Sequence, residues 1–164
     1  MNKKTHGYVI ALVLLLFGTG LWAQENEKEA LAKLSFMMGN WKGTSTVYSK
    51  DTTKSVEVTE KVQYILEGNL MVLDVKSPLI QLHTVISYNM EEGVYYYSPF
   101  SNRGGASYKG RYEEGKFKVT FSEKRRLTFE RTPEGAFHEY GEKLTNGVWE
   151  KYFEDVLYPF PEGE

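Results

Sequence analysis

Two histidines, His83 and His138, stand in the body of the 164-residue chain, and a third, His6, lies near its start. Three histidines, or two with a carboxylate, make the usual catalytic zinc set. His83 and His138 fall on separate expected strands, so each is read as solvent-facing or hydrogen-bonded in a wall, and no metal site is expected. There is no cysteine and no Gly-x-Ser-x-Gly elbow, which narrows the choice of nucleophile. Arg103-Gly104-Gly105 lacks the strand-then-helix setting of a phosphate loop and reads as a rim hairpin. An enzyme working inside the protein would need Glu60 or His83 as its general base. No catalytic set is assembled, and a non-catalytic protein is the expectation.

Carboxylates are more informative. Glu139 and Glu142 are an odd number of places apart and fall on opposite faces of one strand, so they are not a simple acid/base pair. Glu60 shares its parity with Val56, Val58, Val62, Tyr64 and Leu66, which reads as a core face. A buried carboxylate is costly without compensation, so Glu60 requires a cationic neighbour, with Arg126 as the candidate, or a place near a cavity mouth. A structural ion pair, a ligand anchor and a catalytic base all remain open for it. Aromatic residues make up 15% of the chain, and aromatic walls with a few polar tips are what small-molecule pockets use. Within Tyr95-Tyr96-Tyr97, Tyr96 must face one way and its two neighbours the other. Trp41, Glu60, Tyr96, Tyr108, Arg126 and Trp149 are the positions expected to contact a ligand.

What must position these residues is almost entirely strand. Asn26 and Glu29 form a capping-box pattern. The spacing of Ala30, Leu31, Leu34, Met37 and Met38 predicts a short helix with one apolar face, ended by Gly39. Beyond it the period becomes two. Strands are expected over 41–48, 56–66, 71–76, 82–88, 94–98, 106–113, 117–121, 127–131, 137–144 and 149–156, joined by turn sequences such as Glu67-Gly68-Asn69 and Thr145-Asn146-Gly147. The fold class is therefore all-β. About ten antiparallel strands close most simply into an up-and-down barrel with a short N-terminal helix, which removes exposed edges; a two-sheet sandwich is the alternative.

Lys3 and Lys4, the apolar run 8–21 and Leu21-Trp22-Ala23 read as a signal peptide cleaved after Ala23. The run is shorter than the roughly 20 residues that cross a bilayer, so no retained membrane anchor is expected. Residues 24–164 then form one domain in a secreted or periplasmic setting, held by its core without disulfides. Losing two lysines and no acid takes the net charge from −2 to −4, which makes nucleic acid a poor partner.

The stretches "LSFMMGNWKGT", "ISYNMEEGVYYY", "YKGRYEEGKF" and "FHEYGEKLTNGVWEKYFE" resemble the calycin group of barrels, which includes lipocalins and nitrobindin-like proteins. The resemblance is to small bacterial proteins of the domain-of-unknown-function 1579 type and covers nearly the whole chain after residue 23. It implies a barrel whose Trp41 lies at the closed base under the helix, and Gly147 and Trp149 resemble the Gly-x-Trp that opens the family's last strand. Lipocalins pack a late-strand arginine over the first tryptophan; no arginine follows Arg131, so Lys151 or Lys143 is expected in that place. Nitrobindin-like proteins bind haem through a histidine near the C-terminus, and the last strand here has none, so no cofactor is expected. The function implied is non-covalent binding of a small apolar or amphipathic molecule inside the barrel. The alternative is an envelope interaction protein whose rim loops contact a partner.

Overall fold

The computed structural model describes residues 26–161; the expected leader lies outside them. Helix α1 (Glu27–Ala32) and a 3-10 turn (Ser35–Met37) lead into strands β1 (Gly39–Tyr48), β2 (Thr53–Ile65), β3 (Leu70–Lys76), β4 (Gln81–Asn89) and β5 (Val94–Ser101). The chain continues through β6 (Gly104–Gly105), β7 (Tyr108–Glu113), β8 (Lys116–Ser122), β9 (Arg125–Arg131), β10 (Phe137–Thr145) and β11 (Val148–Pro159). The capping box is formed: the Glu29 amide donates to Asn26 Oδ1 at 2.9 Å and the Asn26 amide to Glu29 Oε2 at 3.3 Å.

Each long strand pairs antiparallel with its neighbours in sequence, and β1 pairs with β11, so ten strands close into one up-and-down barrel. β6 is a two-residue side pairing on the end of β5. A single closed sheet replaces the sandwich alternative. Among the described residues no helix is long and apolar enough to cross a membrane.

One end of the barrel is plugged. Ala30, Leu31, Leu34 and Met37 have no exposed surface; burying the three larger ones contributes about 1.5–3 kcal/mol each. Carbonyls at a helix end keep lone pairs free for further donors: Ala30 O and Leu31 O accept from the Lys33 and Leu34 amides, and the barrel wall adds side-chain donors. The Tyr95 hydroxyl donates to Ala30 O at 2.6 Å, the Tyr64 hydroxyl to Leu31 O at 3.1 Å and the Trp41 indole N–H to Met37 O at 2.7 Å. Above the plug, the Trp41 and Phe137 rings lie 5.3 Å apart, and Phe137, Phe129 and Phe117 continue as a stacked row.

The cation over Trp41 is Arg131, not a lysine. β10 and β9 place Arg131 opposite Phe137 at this same end, its guanidinium lies 4.5 Å from the Trp41 ring, and Nη1 donates to Phe36 O at 3.2 Å. Lys151 lies over Tyr140 instead, at 4.8 Å.

Candidate functional site

Toward the other end the barrel is hollow. A cavity of about 510 Å³ is lined by Ser45, Val47, Tyr97, Tyr108, Phe121, Leu127, Tyr152 and Phe153, with Leu79 and Ile80 of the β3–β4 loop and Arg125 also contributing. Aromatic and aliphatic side chains dominate this wall, as in small-molecule pockets generally.

Three acids interrupt it. Glu60, Glu139 and Asp155 line the same cavity, are 2%, 7% and 5% exposed, and offer carboxylate oxygens within 4.8 Å of one another. Register explains the meeting: Asp155 pairs with Ser45 on one side and Glu139 on the other, while Glu60 reaches in from β2, next to β1. Outside the cluster itself, no donor among the described residues reaches either Glu60 oxygen, Glu139 Oε2 or Asp155 Oδ1. Burial, reinforced by the charge of Asp155, raises the Glu60 carboxyl to about 8. Burial and the charges of Glu60 and Asp155 push Glu139 well above the usual carboxylate range. Asp155 is raised by burial to about 6, with the Ser45 hydroxyl opposing the shift. At neutral pH Glu60 therefore holds its proton and Asp155 carries a negative charge, while Glu139 is displaced in the same direction as Glu60.

A β-bulge brings two neighbouring aromatics into one cavity. Gly141 pairs with Phe153 and Glu142 with Lys151, which leaves Tyr152 as the extra residue; bulges re-aim side chains in this way. Gly141 is what makes room, since a Cβ there would lie 2.3 Å from Phe153 Cε1 and 2.6 Å from Tyr152 Cζ.

Of the six positions expected to contact a ligand, Glu60 and Tyr108 line the cavity. Trp41 is in the closed base. Tyr96 faces outward and donates its hydroxyl to Glu92 Oε1 at 2.9 Å, while its neighbour Tyr97 faces in. Arg126 and Trp149 form an outer-wall pair at 4.1 Å, and Arg126 Nε donates to Glu142 Oε2 at 2.6 Å. Glu60 thus lacks the cationic neighbour proposed for it, because Arg126 is on the far side of the wall.

The bulge also accounts for what sequence parity missed. Trp149, Phe153 and Asp155 share odd numbers, yet the extra residue at 152 inverts the alternation, so Trp149 faces out while Phe153 and Asp155 face in. A regular hairpin through Asn146-Gly147 would set Glu139 opposite Glu154; the observed register sets it opposite Asp155.

His83 and His138 are in the outer wall. His83 Nδ1 lies 2.7 Å from Asp74 Oδ1. His138 is held between Glu130 Oε1 at 2.9 Å and Glu154 Oε1 at 2.6 Å. Glu154 also receives Lys151 and the Tyr48 hydroxyl. Partial burial alone would raise its carboxyl, but the hydrogen bonds from Lys151, His138 and Tyr48 outweigh that and hold it at about 2.

No protein-family model and no curated protein sequence matches the chain. Its relation to other proteins rests on architecture: a closed ten-stranded antiparallel β-barrel, compatible with a calycin-like fold.

Proposed function

We propose that the protein is a lipocalin-like carrier or receptor that binds a small amphipathic molecule non-covalently within the barrel, without catalysis. The observation that carries this reading is the cavity of about 510 Å³, aromatic along its walls and polar at the three acids. Barrels of this strand count are wide enough to hold a small ligand. The resemblance to nitrobindin-like and domain-of-unknown-function 1579 proteins belongs to the same proposal, as does a secreted or periplasmic location. Haem is not the ligand we favour, since no histidine is among the residues lining the cavity.

Native mass spectrometry of the purified protein, compared with the same sample denatured, tests the reading. A reproducible extra mass lost on denaturation and absent from a cavity-filling Val47→Trp variant is the expected result. An extra mass retained equally by folded Val47→Trp would place the ligand elsewhere and overturn it.

A second reading has its own observation. Leu79, Ile80 and Phe100 are 44%, 47% and 46% exposed around the open end, as a rim that docks on an envelope partner would be. Crosslinking from these positions that captures one reproducible protein would favour that reading.

A further inference from the structure

Glu60, Glu139 and Asp155 have no evident use in holding the barrel together. Three buried acids without a cation oppose folding, because the desolvation of the carboxyls is offset only in part, by the Ser45 hydroxyl beside Asp155 and by hydrogen bonding between Glu60 and Glu139. The described cation of the cavity lining, Arg125, is exposed and engages the Tyr152 ring at 4.7 Å. Arg126 is outside. The cavity surface therefore combines an apolar, aromatic enclosure with a cluster of hydrogen-bond acceptors that the protein itself satisfies only in part.

Geometry narrows what would complete it. Three points no more than 4.8 Å apart share a centre about 2.8 Å or less from each, which is the length of a charge-assisted N–H···O bond. A primary ammonium has three N–H donors and a positive charge. Tyr97, Tyr152 and Phe153 stand around the same space, and aromatic faces attract ammonium groups while enclosing a hydrocarbon body.

We propose that the ligand of this cavity is an amphipathic primary amine, its ammonium held among Glu60, Glu139 and Asp155 and its apolar body against the aromatic wall. The inference rests on the cavity-binding reading and specifies the chemistry of its ligand. Binding is coupled to protons: an ammonium entering the cluster displaces protons held by the acids, which leave to solvent. The groups facing the ammonium are the three acids, the phenols of Tyr97, Tyr108 and Tyr152, and Arg125 toward the mouth, with His138 and Glu154 acting on Asp155 through the wall.

Calorimetry with n-octylamine, 1-octanol and octanoate tests the inference, since these probes share a chain and differ in the head. The amine is expected to bind at least about tenfold more tightly than the alcohol, as hydrogen bonds to charged groups allow, and octanoate least. Its affinity rises between pH 6 and pH 8 with measurable proton release, whereas that of octanol stays flat. Glu60→Gln and Glu139→Gln, each checked for fold by circular dichroism, are expected to remove most of the amine preference while leaving octanol binding in place. Equal binding of amine and alcohol overturns the amine assignment alone. Failure of all three probes overturns the cavity reading with it. Calcium or manganese binding that Glu60→Gln abolishes, with no amine preference in the wild type, assigns the cluster to a divalent cation and overturns the inference.

Discussion

Glu60 is held far from its solution chemistry by its surroundings. Its carboxyl is raised from 4.5 to about 8 by burial and by Asp155, so the native state holds a proton that the unfolded chain releases above pH 4.5. Stability attributable to this group is unaffected below that pH, falls as pH rises through the window, and levels off beyond about pH 8. Glu60→Gln removes the ionisable group and is expected to stabilise the ligand-free protein at pH 8 by about 1–4 kcal/mol, with little effect at pH 4. Urea unfolding at the two pH values measures the difference; equal effects at both would contradict the protonated, donor-poor setting. Tyr95 gives a complementary case at the plug. Tyr95→Phe deletes the bond to Ala30 O, which still accepts from the Lys33 amide at 3.1 Å. A loss of about 1 kcal/mol is expected, seen as a lower urea midpoint with an unchanged slope.

Elements were legible in the sequence to different depths, for physical reasons. All ten long strands lie where period-two alternation and turn residues place them, and the Asn26/Glu29 cap forms as its spacing predicts, because these are local signals. Glu60 was recognised as core-facing since its strand alternates without interruption. Asp155 and Glu139 were missed as partners because one bulged residue, Tyr152, resets the register between β10 and β11, and no local pattern announces it. Arg131 over Trp41 was missed because it depends on which strand ends meet at the closed base. The bulge is itself testable. Gly141→Ala would press a methyl group into the Phe153 and Tyr152 rings, and a destabilisation of about 1–3 kcal/mol is expected. Thermal unfolding measures that cost, and weakened n-octanol binding would report the displaced rings.

Over the whole molecule, acids inside and outside the wall respond to pH in opposite directions. Inside, Glu60 and Asp155 titrate in the native state at about 8 and about 6, so raising pH above the unfolded values of 4.5 and 3.8 progressively weakens the fold. Outside, Glu154 is held at about 2 against a solution value of 4.5. Its contribution is present above pH 4.5 and is lost as pH falls toward 2. The ligand-free barrel is expected to be most stable near pH 4.5, a shift to the acid side of the usual range. Urea midpoints from pH 3 to pH 9 check this; a midpoint that climbs steadily to pH 8 would show that the interior acids do not govern the pH dependence of the fold.

The seam between β1 and β11 also bears on how the barrel is made. It pairs Trp41 with Pro159 and Val47 with Phe153, partners more than a hundred residues apart in the chain, and such non-local pairing forms slowly. Glu139 and Asp155 arrive together on one hairpin, whereas Glu60 approaches from the opposite side of that seam. Until the seam closes, the acids are apart and solvated; closure buries them together. Closing the seam therefore takes up protons, and the nascent barrel is expected to close more readily in an acidic medium than in an alkaline one.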